Sequence, residues 1–208
     1  MMTVYGLTSS DGILYAARTS GLSRSRDGGT TWEETFASLE QAEPLAAIAV
    51  ASTGQTVFAG VKGAVLRSDD AGDHWTMVGL GSPPPLVVAL TISPNFAEDG
   101  LVAAGTAEDG VFVSTDRGDT WVAWNFGLLD QSVYALAFSP DFARDRTLYA
   151  GAESGVFRSV SAGRGWRETA FPMDAAPVLS LALFGGALVA GTEQHGLFAS
   201  DGGEHWRP

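Results

Sequence analysis

Ser114-Thr115-Asp116-Arg117-Gly118-Asp119-Thr120-Trp121 is a polar turn closed by a tryptophan, and it recurs along the chain. The same spacing stands at Ser25-Arg26-Asp27-Gly28-Gly29-Thr30-Thr31-Trp32 and at Ser68-Asp69-Asp70-Ala71-Gly72-Asp73-His74-Trp75. A fourth copy, Ser159-Val160-Ser161-Ala162-Gly163-Arg164-Gly165-Trp166, carries Ser161 in place of the acid. A fifth, Ser200-Asp201-Gly202-Gly203-Glu204-His205-Trp206, is one residue short. The five tryptophans that end these turns lie about 40 to 46 residues apart, a period that marks a repeat architecture with one sheet per repeat. Trp124, the sixth, falls within the third repeat.

Outward from each turn the pattern is also repeated. First strands align as Val4–Thr8, Leu45–Ala49, Val87–Thr91, Val133–Ala137 and Val178–Ala182. Their third and fifth positions (Gly6 and Thr8, Ala89 and Thr91, Ala135 and Ala137) are small, and side chains two apart on a strand share a face. One face is therefore small and the other large, as sheets converging on an axis require. Second strands such as Val57-Phe58-Ala59-Gly60 and Leu148-Tyr149-Ala150-Gly151 are almost wholly apolar, which fits strands covered on both faces. A third strand such as Val156-Phe157-Arg158-Ser159 leads into each turn, and a fourth starts at each tryptophan. No window of ten residues keeps a helical apolar spacing free of glycine. The prediction is an all-β chain, a five-bladed β-propeller of four-stranded antiparallel blades with the polar turns between third and fourth strands. It forms a single domain over 1–208, with repeats at about 3–38, 45–80, 87–125, 133–171 and 178–208.

Composition agrees. In 208 residues, 45% are hydrophobic and 17% charged, enough for a filled core, and 26 glycines with nine prolines are spread along the chain as many tight turns demand. Without cysteine there is neither a disulfide nor a thiolate metal site. A net charge of −12 repels phosphate backbones and argues against nucleic acid as partner. No apolar run reaches the roughly 18 residues of a membrane span, and Met1-Met2-Thr3-Val4-Tyr5-Gly6 has no basic start. These features point to the cytoplasm, or to the cell exterior had a leader been removed.

The turns have a structural logic. Aspartate at their third position accepts backbone N–H bonds, glycine permits a positive φ, and tryptophan covers the hairpin. On this reading Ser25, Asp27, Gly29 and Trp32 staple the first turn. Ser68, Asp70, Gly72 and Trp75 staple the second, and Ser114, Asp116, Gly118 and Trp121 the third. Ser159, Ser161, Gly163 and Trp166 do so in the fourth, and Asp201, Gly203 and Trp206 in the fifth. The pattern S-x-D-x-G-x-x-W resembles the Asp-box, or bacterial neuraminidase repeat, of the sialidase and sortilin-like propeller superfamily, which also includes a photosystem II assembly factor and bacterial repeat proteins. The near-duplicates Ser93-Pro94-Asn95-Phe96-Ala97-Glu98-Asp99 and Ser139-Pro140-Asp141-Phe142-Ala143-Arg144-Asp145 add to that resemblance and predict a turn with a buried phenylalanine. The resemblance implies the fold and transfers no activity. A sialidase uses six blades, an arginine triad and a Tyr–Glu pair, whereas this chain has five repeats, no Arg-Ile-Pro motif, and arginines such as Arg26, Arg117 and Arg164 grouped about the hairpins.

Catalytic constellations are not assembled by the sequence. His74 and His205 fall inside the polar turns and His195 in another, so no pair has metal-ligand spacing and no Ser/His/Asp set can be put together. No cofactor or metal is expected. Ligands are expected at the channel mouth, on the face that joins second to third strands and each blade to the next. There Arg18 and Lys62 stand on two blades and Glu108, Glu153 and Glu193 on the other three, with His195 beside the last. Such a ring could orient a polar ligand or hold a divalent cation on its acidic arc. Leu128, Leu129, Phe171 and Met173 in the longer loops suggest an apolar element, either for a partner or for packing of the loops on each other. The favoured function is a non-enzymatic binding or assembly scaffold for a partner protein. A lectin-like propeller binding a glycan or small polar ligand is the alternative, and a hydrolase comes third. Packing alone would fasten the first blade to the fifth, so a closed five-blade monomer is expected, with a dimer that covers the seam as the alternative.

Overall fold

The computed structural model describes residues 3–37 and 48–208. Met1, Met2, the mouth loop Glu40–Pro44 and residues 45–47 of the second expected first strand lie outside the described residues. Strands β1 (Val4–Ser10), β2 (Ile13–Arg18), β3 (Gly21–Ser25) and β4 (Glu33–Ala37) make the first sheet. The second holds β5 (Ala49–Thr53), β6 (Thr56–Val61), β7 (Ala64–Ser68) and β8 (Thr76–Gly79), and the third β9 (Val87–Ile92), β10 (Val102–Thr106), β11 (Val111–Ser114) and β12 (Val122–Ala123). The fourth holds β13 (Val133–Phe138), β14 (Leu148–Ala152), β15 (Gly155–Ser159) and β16 (Arg167–Glu168). The fifth holds β17 (Val178–Phe184), β18 (Ala187–Thr192), β19 (Leu197–Ser200) and β20 (Trp206–Arg207). In every sheet the strands hydrogen-bond in chain order, and the fold is a five-bladed β-propeller. Among the described residues no helix is long and apolar enough to cross a membrane.

One strand is displaced from its expected place. β5 begins at Ala49, where the sequence reading ended the strand. Ala49 pairs with Gly60 as Gly6 pairs with Ala17, so the second repeat is shifted by two residues. A slip of two keeps every side chain on its own face, and alternation alone therefore cannot distinguish the two registers.

The chain divides into two compact units, residues 1–92 and 93–208. In the first, the small face of β1 seats on the large face of β5. A β-carbon on Gly6 would lie 3.6 Å from Val50, and the Thr8 and Ser52 hydroxyls are 3.2 Å apart. Further out, buried Arg24 on β3 is ion-paired to Glu33 and, at 2.6 Å, to Asp73, and its Nη1 donates to the Ala71 carbonyl. In the second unit Val178, Leu188, Ala190 and Phe198 pack with Tyr149, Val156 and Phe171 of the preceding repeat. The Ser-Pro-Asn/Asp-Phe segments form single-turn helices, α1 (Phe96–Asp99) and α2 (Phe142–Asp145), each with its phenylalanine buried and its last aspartate bonded to the Ser93 or Ser139 hydroxyl.

Two glycines show how tightly the sheets meet. A β-carbon on Gly60 would lie 2.9 Å from that of Val87, and one on Gly151 would lie 2.7 Å from Val178 Cγ1. Both valines open the next repeat's first strand, and both are buried. Adding a methyl group there must push two sheets apart, and overpacking of this kind costs about 1–3 kcal/mol. Gly60→Ala and Gly151→Ala are each expected to lower the unfolding free energy by that amount in urea titrations, while Gly12→Ala, whose β-carbon meets nothing within 4 Å, disturbs no packing and acts only through its positive φ.

Candidate functional site

The polar turns use their side chains on themselves. In the first, the Ser25 hydroxyl accepts the Gly29 N–H at 2.8 Å and donates to Asp27, whose carboxylate accepts the backbone N–H and hydroxyl of Thr31 at 2.9 and 2.6 Å. Asp70 does the same with the N–H and imidazole of His74, and Asp116 with the N–H and hydroxyl of Thr120. Ser161 substitutes by accepting the Gly165 N–H at 3.0 Å, with its hydroxyl 3.3 Å from that of Ser159. In the shortened fifth turn Ser200 still accepts from Gly203, whereas Asp201 lies 4.0 Å from Arg207 and pairs with it. The indoles of Trp32, Trp75 and Trp121 donate to the carbonyl of the turn glycine, which holds φ near 90° in each case (93°, 92° and 93° for Gly29, Gly72 and Gly118). Bonds donated by the Thr31 hydroxyl and then by its backbone N–H lower the Asp27 carboxyl to about 2. Those from His74 hold Asp70 well below the usual carboxylate range.

The residues expected at the mouth are placed as follows. In the first unit Arg18 ends β2 with its guanidinium 5.1 Å from the centre of the Trp32 ring, and Lys62 is exposed, its backbone bridged to Leu86. In the second unit Glu108, Glu153, Glu193 and His195 are all exposed. Glu153 has a partner: its carboxylate accepts the Tyr134 hydroxyl at 2.7 Å, a bond that raises the phenol. Tyr134 reaches it from a bulge between Val133 and Ala135, an irregularity that re-aims a side chain out of the ladder. Asp130 secures the same loop by accepting the N–H groups of Ser132 and Ser154, and Asn125 ties Val111 to Asp109 in the loop of the third sheet. Among the described residues no three His, Asp or Glu side chains gather closely enough to hold a metal ion, so the acidic loops do not form a cation cage.

The four apolar loop residues divide. Leu128 and Phe171 are buried under the loops, and Leu129 and Met173 are exposed. A groove of mixed polar and apolar lining lies elsewhere. Beside β16, the outer edge of the fourth sheet, a groove of about 830 Å³ is lined by Phe126, Val160, Trp166, Arg158, Arg167 and Glu204 among others. Phe126 is 85% exposed and Val160 62%. Two backbone-directed bonds fix this wall: the Trp166 N–H donates to the Phe126 carbonyl at 2.9 Å and its indole to that of Trp124 at 2.8 Å. Arg158 and Glu204 face each other at 3.5 Å across the polar side. The sequence signal was Trp124-Asn125-Phe126, two aromatics outside the repeat pattern.

No protein-family model matches the chain, and no curated protein matches its sequence. Solved structures do. A chain of YCF48 bound to D1 peptide is 17% identical with a TM-score of 0.70, over 99% of this chain and 66% of that one. An ancestral GH74 enzyme is 21% identical with a TM-score of 0.77, over 98% and 30%. A chain of the mitotic checkpoint complex is 15% identical with a TM-score of 0.74, over 100% and 64%. The likeness is one of fold. This chain spans no more than about two thirds of each of them.

Two measurements test the electrostatics. Because the Asp27 carboxyl is lowered on folding, the stability it contributes is present above its unfolded value of 3.8 and is lost as pH falls toward about 2. The gap in urea midpoint between the wild type and Asp27→Asn, open at pH 5, is expected to narrow between about pH 4 and pH 2. Glu153→Gln removes the charge that favours the neutral phenol, so Tyr134 is expected to ionise at lower pH, read by NMR of its ring.

Proposed function

We propose that this chain is a non-enzymatic binding scaffold, an Asp-box propeller that holds an extended segment of a partner protein in the groove beside β16. The observation that carries the reading is the groove itself, in which a sheet edge, two exposed apolar side chains and charges of both signs lie together. An edge strand offers unpaired N–H and C=O groups to an added strand, and flanking apolar residues select its side chains. Phe126 and Val160 supply such contacts, while Arg158, Arg167, Glu168 and Glu204 favour a segment with polar flanks. The structural likeness to YCF48 in its peptide-bound form supports the choice of a polypeptide as ligand.

The test compares proteins captured from the native host by the wild type, by Phe126→Glu with Val160→Glu, and by Glu108→Gln with Glu193→Gln as a mouth control, alongside a glycan array. Burying one large apolar side chain contributes about 1.5–3 kcal/mol, or roughly ten- to a hundredfold in affinity. Retention of a partner is therefore expected to fall at least tenfold with the groove variant and to persist with the mouth variant. Glycan binding without a retained protein favours the lectin-like alternative, and a partner indifferent to the groove variant overturns the site.

A further inference from the structure

In every sheet the residue just ahead of the serine that opens the polar turn is paired with a residue near the start of the fourth strand. The five pairs are Arg24 with Glu33, Arg67 with Thr76, Val113 with Val122, Arg158 with Arg167 and Ala199 with Arg207. Among these pairs only the fourth sets like charges directly opposite each other, which is destabilising on its own. The three arginines that lead into a turn are also served differently. Arg24 donates from Nε to Glu33 across the strand, and Arg67 from Nε to Asp69, two residues on, at 2.9 Å. In the fourth repeat the place of Glu33 is taken by Arg167 and that of Asp69 by Val160. The Arg158 Nε is buried without a hydrogen-bond partner among the described residues, and its Nη1 meets Glu204, itself 75% exposed, at 3.5 Å. A buried donor without an acceptor is costly, and both arginines line the groove beside β16.

We propose that this groove selects an acidic segment: an aspartate or glutamate side chain of the bound strand sets its carboxylate between Arg158 and Arg167, in the role that Glu33 plays beside Arg24, while an apolar neighbour in the same segment lies on Phe126 and Val160. The proposal rests on the reading of the groove as a peptide site and names what that peptide must carry. A strand added along β16 places a side chain directly opposite Arg167, and cross-strand pairs favour opposite charge. Guanidinium groups hold carboxylates through parallel N–H bonds, so one acid can serve both arginines. Arg167 is exposed and the Arg158 side chain is 32% exposed, so both can be reached from the groove. Glu168, the next residue of β16, is paired with Phe157 and alternates to the other side of the strand. The net charge of −12 repels an acidic segment from the surface at large, so its attraction to this pair is local.

A phage-displayed library of random twelve-residue peptides is selected on the full chain, and the selected sequences are synthesised with both ends capped so that no terminal carboxylate takes part. Peptides with an acidic residue close to apolar ones are expected, and replacing that acid by glutamine is expected to raise Kd at least tenfold by fluorescence anisotropy. Arg167→Glu gives the fourth sheet the pairing of the first, so it is expected to weaken the acidic peptide at least tenfold without lowering Tm, because the new carboxylate pairs with Arg158. Peptides that bind equally with glutamine in place of the acid, yet are lost with Phe126→Glu and Val160→Glu, keep the groove and overturn the acidic segment. Acid dependence that persists in Arg167→Glu sets the carboxylate elsewhere and also overturns it. Peptides indifferent to the groove variant, or a library that yields no binder, overturn the groove as a peptide site and this inference with it.

Discussion

Where Gly60 and Gly151 stand, a valine of the following repeat occupies the space a β-carbon would need. That close approach, small face against large, is the constraint on which the rest of the structure depends. Sheets that fan out from their inner strands can remain in contact near the inner edge only if one of the two facing surfaces is thinned there, and protein interiors leave no slack for a compromise. The rule accounts for Gly6, Ala49, Ala89 and Ala135 at one position and for Tyr15, Phe58 and Tyr149 further out, where the widening wedge must be filled.

At the opposite edge the polar turns solve a different problem. A hairpin at the rim has little apolar cover, and its backbone N–H groups must find partners. Serine, aspartate and glycine supply them within eight residues, and tryptophan closes the hairpin while giving its own N–H to the turn. Ser161 shows that one oxygen in the right place retains the central bond, and the fifth turn keeps its serine bond although it is a residue short. With the turn aspartates committed in this way, the chemistry available to a ligand lies in the loops and along the sheet edges.

The groove beside β16 is a product of that division. Its outer strand is only two residues long, extended by one main-chain bond from the Thr169 N–H to the Val156 carbonyl, so the edge remains narrow and flanked by side chains from the next turn. Phe126 is exposed to water while its carbonyl accepts the Trp166 N–H. An exposed aromatic ring is a poor contribution to stability and a good anchor for a ligand.

Much of the fold was legible because each repeat states its own strands, turn and faces, and those depend on neighbours a few residues away. Periodicity found the five sheets, and the small third and fifth positions of the first strands revealed which face meets which. Alternation could not distinguish Leu45–Ala49 from a strand two residues later, since both registers present the same faces, and pairing of Ala49 with Gly60 decided it. The sequence likewise could not tell which of Leu128, Leu129, Phe171 and Met173 would be buried, because loop burial is set by residues distant in the chain. The same holds for Phe126 and Val160, separated in sequence and joined in one groove, and for Glu153, whose Tyr134 partner depends on a bulge that composition does not announce. Local hydrogen bonding and alternation are written residue by residue; exposure is a property of what packs across from a side chain, and only the tertiary structure supplies it.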